Sequence, residues 1–468
     1  MTTPGPTLVW LRRDLRLADQ PALHAAAARG ETVIPVFIHA PEEEAPWQPG
    51  AASNWWLHHS LQALAAELEQ AGSPLILRAG PSLDTLRTLV AETGADAVYW
   101  NRLYDPACVL RDQGIKAALR TDGLEVRSFN AALLLEPWAV ATGQGQPYRV
   151  FSPFWKACRQ RGIDHDPLPA PGALEPPARR PDSLALEQLQ LLPGIDWAGG
   201  LRAAWNPGEA AALARLQDFL DRTARDYAGT RDRPDQDGTS RLSPHLHFGE
   251  ISPRQILRAL RQTGLDTEHG GGEAFVRELG WRDFAHHVLY HFPHTPERPL
   301  NPRFEAFPWR ESGTDLVAWQ RGRTGVPVVD AAMAQLWETG WMHNRLRMVV
   351  GSFLTKNLRL HWHHGARWFW DTLVDADLAA NTLGWQWAGG CGADAAPYFR
   401  VFNPQRQGEQ YDPEGHFVRR FLPALKNTET RYIHAPGAGG ARDYPAPIVD
   451  LKTSRQAALE AFNAIKNT

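Results

Sequence analysis

The sequence predicts an N-terminal doubly wound α/β domain and a larger all-α domain, joined by a long linker. Three observations lead to this prediction. Short apolar runs alternate with amphipathic segments over the first 135 residues, a proline-rich stretch without periodicity follows, and only helical periodicity remains after it. The predicted bounds are 1–135 for the α/β domain, 136–206 for the linker and 207–468 for the all-α domain.

The N-terminal domain contains five short runs that are mostly apolar, as in strands buried on both faces of a sheet. We predict strands at residues 7–11, 32–38, 74–77, 97–100 and 125–129. Four amphipathic segments lie between these runs, and a glycine, the residue that most readily ends a helix, follows each one. We predict helices at residues 21–29, 54–70, 82–93 and 107–121. This alternation is typical of a parallel sheet with right-handed crossovers.

The linker contains the proline-rich segment PLPAPGALEPPARRPDS, which predicts an extended, aperiodic connector. Residues 148–161, just before it, predict a short anchoring helix. Beyond residue 206 the apolar residues recur at helical spacing. We predict helices at residues 207–222, 252–263, 273–287, 328–338 and 341–360.

The composition excludes several classes of protein. No apolar run approaches the roughly 18 residues needed to cross a bilayer. The N-terminus lacks the basic-then-apolar order of a signal peptide, so we expect a cytoplasmic protein. Cys108, Cys158 and Cys391 lie too far apart to indicate a disulfide framework or a four-thiolate metal site. A net charge of −3 argues against a generally basic nucleic-acid-binding surface but allows a local basic face.

Residues 341–387 contain the most informative pattern in the chain. The predicted helix at the start of this stretch has a second face made of Asn344, Arg347, Met348 and Gly351. Two carboxylates, an amide and two indoles follow: Asp375, Asp377, Asn381, Trp385 and Trp387. A guanidinium near carboxylates and indoles, beside a glycine that admits a flat group, indicates a large, polar, aromatic ligand. The alternatives are that the aromatic residues form core and that the Asp-x-Asp pair caps a helix or binds a metal ion.

Two further segments contain candidate ligand-binding residues. In GTSRLS, Thr239, Ser240, Arg241 and Ser243 could hold a pyrophosphate beside a helix start, or could form a plain capped turn. On the predicted helix 273–287, one face contains Glu278, Trp281, Arg282 and Ala285. These residues could stack on a planar group and bind its edge, or form a surface ion pair beside a core tryptophan.

The clustered histidines do not predict a metal site. His286-His287 and His361-x-His363-His364 lack the HExxH spacing, and adjacent residues on a helix point about 100° apart. The sequence also contains no nucleophile elbow and no phosphate-transfer motif. The pattern therefore favours a large ligand pocket without the residues of a hydrolase.

Together these motifs resemble the photolyase/cryptochrome family, and within it the bacterial photolyases that act on cyclobutane pyrimidine dimers. The similarity runs from VWLRRDLRLADQPAL near the N-terminus to YPAPIV near the C-terminus. The motifs that carry it are GTSRLSPHLHFGEISPRQ, ELGWRDF, TGVPVVDAAMAQL, TGWMHNRLRM and VDADLAANTLGWQWAGGCGADAAPYFRVFNP. The resemblance implies that the all-α domain buries FAD, and that excited, reduced FAD donates an electron to a dimer flipped out of DNA.

The resemblance also implies which residues bind FAD. Tyr227 and residues 239–243 would hold the phosphates, Arg347 would pair with Asp375 beside the isoalloxazine, and Asp377 would contact its polar edge. Asn381 would lie near N5. The full implied set is Tyr227, Thr239, Ser240, Arg241, Leu242, Ser243, Phe275, Glu278, Arg282, Asn344, Arg347, Asp375, Asp377 and Asn381.

The implied lesion site shares several of these residues. Trp281 and Trp387 would flank the dimer, Glu278 would hydrogen-bond its carbonyl edge, and Asn344 and Met348 would line the floor; these five are the implied catalytic residues. The implied DNA-binding set is Glu278, Trp281, Arg282, Asn344, Arg345 and Trp387. The implied electron-transfer chain is Trp309, Trp362 and Trp385, with core packing as the alternative role of each.

Relatives also bind an antenna chromophore. NWWLHHSL resembles segments that stack a methenyltetrahydrofolate, whereas HFPHTPERPL lacks a lysine that some folate-binding relatives have. A deazaflavin antenna, or none, is the alternative. We expect a monomer that binds DNA containing pyrimidine dimers and that binds neither a membrane nor a metal ion.

Three other members of the family are rival interpretations. A (6-4) photolyase would have histidines where this chain has Asn344 and Met348. A cryptochrome photoreceptor would have lost the lesion-contacting residues and would carry a C-terminal extension. An iron–sulfur relative would need more cysteines than the three scattered ones here.

Overall fold

The N-terminal part of the chain forms a parallel five-stranded sheet with the strand order β3-β2-β1-β4-β5. The computed structural model describes residues 5–466, apart from residues 31, 164–165, 266, 395–398 and 440–442. The strands are β1 (Thr7–Leu11), β2 (Val33–His39), β3 (Ile76–Ala79), β4 (Ala97–Asn101) and β5 (Glu125–Phe129). The helices between them are α1 (Pro21–Ala27), α2 (Ala51–Gln70), α3 (Ser82–Thr93) and α4 (Pro106–Thr121). The predicted α/β class is confirmed.

Alternate residues of the central strand enter two separate cores. Val9 and Leu11 pack with α1 and α2, whereas Leu8 and Trp10 pack with α3 and α4. Both faces of the sheet are therefore covered, which explains why its strands are continuously apolar rather than alternating. Strand order reverses between β1 and β4, and the crevice outside the carboxyl ends of such strands is where doubly wound sheets usually bind ligands.

The rest of the chain is helical in the part that the structure describes. The helices are α5 (Phe151–Arg161), α6 (Gly199–Ala204), α7 (Glu209–Arg222), α8 (Tyr227–Thr230), α9 (Ser243–His247), α10 (Pro253–Gln262), α11 (Gly270–His291), α12 (Gly313–Gln320), α13 (Pro327–Thr339), α14 (Asn344–Ser352), α15 (Trp362–Thr372), α16 (Leu378–Gly389), α17 (Pro404–Tyr411), α18 (His416–Phe421) and α19 (Leu451–Ala464). No helix among the described residues is long and apolar enough to cross a membrane.

Local capping explains where several helices begin. Ser252 accepts the N–H of Gln255, whose side chain accepts the N–H of Ser252, so α10 begins with a capping box. The predicted single helix at residues 341–360 is wrong in its bounds. The side chain of His343 caps α14, so the helix begins at Asn344, and a π-helical turn replaces it at Phe353–Asn357.

The connector packs in two halves. Its first half, with α5, lies in the core that also contains α7, α10 and α11. Its second half, including Leu174, Leu189 and Leu201, lies in the core on the α1–α2 face of the sheet. The anchoring helix predicted at residues 148–161 is present as α5. The predicted domain bounds remain predictions, because the connector contributes side chains to the cores on both sides of it.

Hydrogen bonds to main-chain carbonyls, one from a main-chain N–H and one from a guanidinium, hold the sheet domain against the helices. The N–H of Leu15 donates to the carbonyl of Phe248 at 3.0 Å, and Arg16 donates to the carbonyl of Gly249 at 2.8 Å. Gly249 has φ +66°, and a Cβ atom there would lie 2.4 Å from the carbonyl oxygen of Arg13. This contact tolerates only glycine, because the two backbones approach too closely for a side chain.

Replacing Gly249 by alanine tests this close approach. Gly264 is the matched control, because it has φ +70° with no atom near its virtual Cβ. We expect Gly264→Ala to lower the free energy of unfolding by about 1 kcal/mol through backbone strain alone. Gly249→Ala should lower it by roughly 2 kcal/mol more, because the new methyl group overpacks the domain contact. Urea unfolding measures both, and equal losses in the two variants would contradict the contact.

Candidate functional site

An ion pair between α14 and the chain entering α16 lies at the centre of the site. Nη2 of Arg347 donates to both carboxylate oxygens of Asp375, at 2.9 and 2.7 Å. Nε of Arg347 donates to the carbonyl of Met342 at 2.8 Å, which fixes the plane of the guanidinium. Asp375 is only 6% exposed, and a carboxylate buried without such a partner would be strongly unfavourable. The structure thus contains the Arg347–Asp375 pair that the resemblance implies.

Asp377 both caps α16 and faces two histidines. Its Oδ1 accepts the N–H of Ala380 at 2.8 Å, so the capping alternative weighed from the sequence is correct. Its Oδ2 lies 3.6 Å from Nδ1 of His247 and 3.5 Å from Nε2 of His286. Burial raises the pKa of Asp377, but His286, His247 and Arg282 outweigh burial and hold that pKa well below its usual range. The sequence contained no sign that these histidines would meet Asp377.

Asn381 and Gly351 have defined neighbours. The amide of Asn381 donates to the carbonyl of Ala366 at 3.0 Å, which fixes its orientation. A Cβ atom on Gly351 would lie 3.0 Å from the Cβ of Ala388 and 3.7 Å from the ring of Trp385. The prediction that Gly351 admits a flat ligand is therefore wrong, because α16 takes that space.

Residues 239–243 form an irregular segment that leads into α9. Arg241 has φ +51°, a left-handed backbone, and its guanidinium lies 5.3 Å from the ring centre of Trp341. Ser240 is buried, and its Oγ accepts the N–H of Leu242 at 3.4 Å. Ser243 is exposed, and its Oγ accepts from the indole nitrogen of Trp341 at 3.3 Å. The segment therefore offers hydroxyls, a guanidinium and a helix start together, while Thr239 is half-buried beside it.

Several buried donors around this segment fit an anionic ligand. Tyr227 is buried against Phe275, with ring centres 5.2 Å apart. Nε of Arg241, Nε of Arg345 and Nε2 of His343 are buried and have no hydrogen-bond partner among the described residues. Buried polar atoms usually have a partner, so the phosphates and polar edges of FAD are suitable acceptors here.

Glu278 and Trp281 lie one turn apart on α11, and each has a partner that the sequence did not predict. Glu278 accepts from Nη1 of Arg231 at 2.5 Å. Trp281 stacks on Phe151 of α5, with ring centres 3.9 Å apart and 7° between the planes. The half-buried indole thus has one face covered by protein. No local spacing could have revealed either pair, because the partners come from distant segments of the chain, the turn after α8 and the helix α5.

The other implied lesion residues lie on α14 and α16. Asn344 is exposed and Met348 is half-buried, so both remain accessible from solvent. Trp387 is half-buried and lines a small cavity together with Ser352, at the end of α14, and Lys356, in the π-helical turn that follows.

The two arginines expected to approach DNA differ in their surroundings. Arg282 donates to the main-chain carbonyls of Ala132 and Leu246, close to Asp377. This inward placement argues against the predicted contact between Arg282 and DNA phosphate. Arg345 pairs with Asp232 at 2.6 Å on the half-exposed side of α14, where the predicted phosphate contact stays a prediction.

Of the three tryptophans of the predicted electron chain, only the last, Trp309, is partly exposed. Trp385 and Trp362 are buried, whereas Trp309 is half-buried. His361 lies between the last two, with its ring centre 5.6 Å from that of Trp362 and 5.1 Å from that of Trp309. A Cβ atom on Gly365 of α15 would lie 2.0 Å from the ring of Trp385, so glycine lets that indole lie directly on the helix that Trp362 begins.

A cavity lies where the helices meet the carboxyl ends of β1 and β2. Trp10 and Phe37 line it from the sheet, and His247 and Phe248 line it from the helices. From α2 the lining residues are Ser53 and Leu57. The two indoles of NWWLHHSL do not face it, because Trp55 and Trp56 are buried in the core and Trp56 donates to Glu250 at 3.0 Å.

An acidic cluster beside this cavity is filled by an arginine. Ligating atoms of Glu44, Asp105 and Cys108 lie within 4.8 Å of one another. However, Nη2 of Arg13 pairs with Asp105 and lies 3.3 Å from Glu44 and 3.6 Å from the sulfur of Cys108. Burial raises the pKa of Cys108 to about 12, so its thiol stays protonated. The cluster is an ion-pair network in which the guanidinium of Arg13 occupies the place that a metal ion would take.

Comparisons with known proteins agree along the whole chain. A family model described as the FAD binding domain of DNA photolyase matches residues 275–464, and one described as DNA photolyase matches residues 7–172. The chain is 46% identical to a deoxyribodipyrimidine photo-lyase of Agrobacterium fabrum, covering 99% of each protein. It is 39% identical to Cryptochrome-2 of Arabidopsis thaliana, covering 98% of this chain and 78% of that protein. A crystal structure of a bacterial class III photolyase from Agrobacterium tumefaciens has a TM-score of 0.95 at 46% identity, covering 100% of this chain and 99% of that one.

The buried Lys356, which lines the same cavity as Trp387, should make the stability of the protein depend on pH. It is 4% exposed, donates to the carbonyl of Arg400, and lies 4.6 Å from the ring centre of Phe399. Burial lowers the pKa of Lys356 from 10.5 to about 7. Between these values the unfolded chain holds a proton that the folded protein has lost, so the free energy of unfolding rises with pH.

We expect the slope between pH 7 and 9 to be smaller in Lys356→Met by about 1 kcal/mol per pH unit. Lys426→Met, which changes an exposed lysine, is the control and should keep the wild-type slope. Urea unfolding at a series of pH values measures both. A wild-type slope in Lys356→Met would show that the ammonium is not desolvated in the folded protein.

Proposed function

The chain belongs to the DNA photolyase/cryptochrome family, and we propose that it is a photolyase that splits cyclobutane pyrimidine dimers in DNA under light. The observation that carries this proposal is the position of α14 between two sites. Arg347 pairs with Asp375 on the side proposed to hold FAD, while Asn344 and Met348 remain accessible on the side proposed to hold the lesion. One helix thus brings cofactor and substrate together.

FAD supplies, when reduced and excited by light, the electron that opens the cyclobutane ring. We propose that Tyr227 and residues 239–243 bind its phosphates, through the hydroxyls, the Arg241 guanidinium and the start of α9. Arg347, Asp375, Asp377 and Asn381 would contact the ring system. All four are held by other protein groups, so their orientation is set before the cofactor binds.

The dimer would enter between Trp281 and Trp387. Phe151 supports one face of Trp281, which leaves the other face for stacking on the flipped-out lesion. Glu278, whose carboxylate accepts from Arg231, would also accept a hydrogen bond from the ring N–H on the carbonyl edge of the dimer. Flipping costs a few kcal/mol and costs least for a base that is already poorly paired, which favours a dimer over intact DNA.

A basic surface beside Trp281 supports DNA binding despite the net negative charge. Lys156 of α5 and Arg277 of α11 are exposed next to Phe151, where a groove runs along α5. We propose that these side chains and Arg345 contact phosphates of the lesion-containing strand. Affinity should then fall as salt rises, because bound counterions are released from DNA.

The tryptophans and the cavity have supporting roles in this proposal. Trp309, Trp362 and Trp385 would carry electrons from the surface to oxidised FAD. The cavity at the ends of β1 and β2 would hold an antenna, a methenyltetrahydrofolate or a deazaflavin, because it is lined by aromatic rings and lies where doubly wound sheets bind ligands. We further propose a cytoplasmic monomer.

A repair assay tests the proposed function. Protein with chemically reduced FAD is mixed with DNA containing thymine dimers, and thymine absorbance is followed in blue light and in darkness. We expect recovery in light only. Glu278→Gln should lower repair per absorbed photon roughly tenfold, because a charge-assisted contact worth about 1.4 kcal/mol in the transition state is lost.

Trp309→Phe is the matched variant for the electron chain. It should slow the photoreduction of oxidised FAD but leave repair by pre-reduced protein intact. Absence of repair in light, with FAD bound, would favour a cryptochrome-type photoreceptor, a function for which the 39% identical Arabidopsis relative is the precedent. Loss of FAD from Glu278→Gln would refute the lesion-contact role of that residue.

A further inference from the structure

Three titratable side chains, His247, His286 and Asp377, meet where we propose that the flavin binds. Two neutral histidines cannot supply all the hydrogens that this cluster needs for its hydrogen bonds. Nε2 of His286 and Nδ1 of His247 lie 3.5 and 3.6 Å from the same oxygen, Oδ2 of Asp377. Oδ1 of Asp377 accepts the N–H of Ala380, so both carboxylate oxygens face possible donors. Both imidazoles are buried. Any proton in this cluster is therefore shielded from bulk water.

The hydrogen bonding of His286 limits its protonation states. Its Nδ1 lies 3.0 Å from the carbonyl oxygen of Arg282, which can only accept, so Nδ1 carries a hydrogen. A neutral imidazole has a single N–H. Nε2 of neutral His286 would therefore turn a lone pair toward the carboxylate of Asp377. A second proton on Nε2 replaces this repulsion with an ion pair.

His247 offers a second place for the same proton. Its Nδ1 is buried and has no hydrogen-bond partner within the described part of the chain. The ring of Phe248 packs edge-on against it, with centres 4.7 Å apart. The carboxylate of Asp377 lies 3.6 Å from this nitrogen and is an acceptor for a hydrogen on it.

The net effect of the surroundings is to lower the pKa of His286 below its ordinary value, and burial is the largest cause. Burial lowers the pKa of His286, Asp377 raises it, Arg282 lowers it, and the more distant Asp105 raises it. On its remaining side, His286 packs edge-on against the ring of Tyr104, with centres 6.1 Å apart. A negative charge added beside Asp377 opposes the effect of burial, so it favours a proton on His286, which lies 3.5 Å from Asp377.

We propose that His247, His286 and Asp377 together bind one exchangeable proton, and that they bind it more tightly when the flavin beside Asp377 is reduced. This inference rests on the proposed function, which places FAD at Asp377. A reduced flavin carries a negative charge near neutral pH, and a nearby negative charge favours imidazolium. A two-electron reductant, such as the reduced form of a reference dye, supplies two electrons. Solvent supplies two protons, one to the flavin and one to an imidazole. Reoxidation releases both protons.

Proton binding to this cluster therefore stabilises the reduced cofactor relative to the oxidised one. By linkage, a cluster that binds a proton more tightly beside reduced FAD also makes reduction easier as pH falls. Over the pH range where the cluster titrates, the equilibrium constant for reduction changes by up to about tenfold more per pH unit than the flavin alone requires. The cluster would thus help to keep FAD in the state that repair needs.

The test measures the equilibrium between FAD-loaded full-length protein and a reference dye of known potential, in the dark, from pH 5 to 8. The variants are His286→Gln, His247→Gln and the double variant. His291→Gln is the matched control, because His291 is on the same helix and its Nε2 lies 3.0 Å from the carbonyl of Pro137 instead of a carboxylate. We expect a shallower pH dependence in the double variant, by about tenfold per pH unit, and a wild-type dependence in the control.

A second measurement needs no variant. Infrared difference spectra between oxidised and reduced wild type, with and without ¹⁵N-labelled histidine, should show neutral imidazole lost and imidazolium gained on reduction. Parallel pH dependences in wild type and double variant, or no label-sensitive bands, would overturn the proposal while leaving the proposed function intact. A wild-type chain that cannot be loaded with FAD would overturn both.

Discussion

Two carboxylates lie where the chain enters α16, the buried Asp375 and the Asp377 side chain that is 13% exposed, and the site is built around neutralising them. Burying an ionised carboxylate without a partner costs several kcal/mol, so each must meet a cation, an imidazole or a donor. Arg347 comes from α14, and His247 and His286 come from α9 and α11. The helices α9, α11 and α14, which come from separate parts of the sequence, are thereby fixed around the residues that lead into α16.

This convergence determines what else α14 can do. With Arg347 turned toward Asp375 and Gly351 pressed against Ala388, the helix can lie in only one orientation on α16. Asn344 and Met348 then have to face the accessible side of the site. A rigid shell of this kind suits electron transfer to a bound lesion, since donor and acceptor must be held at a fixed separation without rearrangement during the reaction.

The sequence predicted the features that depend on neighbouring residues. The strands of the sheet, the helix that starts at Ser252-Pro253 and the presence of α5 follow from local periodicity and capping, and the structure confirms them. The resemblance implied the Arg347–Asp375 pair. The contacts that the sequence did not predict share one physical cause. Phe151 against Trp281, Arg231 against Glu278 and the histidines around Asp377 are contacts between residues that are far apart in the chain, which no local period encodes. Gly351 was misread for the same reason, since a glycine on a helix face does not reveal whether a ligand or another helix fills the space.

We propose that the Arg347–Asp375 ion pair is part of a binding site for one FAD per chain, and a cofactor titration tests this proposal most directly. Apoprotein is titrated with FAD, and bound FAD is followed by its fluorescence and absorption, in wild type, in Asp375→Asn and in Asp182→Asn, a control at an exposed position of the connector. We expect one FAD per chain in wild type and in the control, and at least roughly tenfold weaker binding in Asp375→Asn, because Arg347 would lose the charge that orients it. Equal affinity in Asp375→Asn and wild type would contradict it.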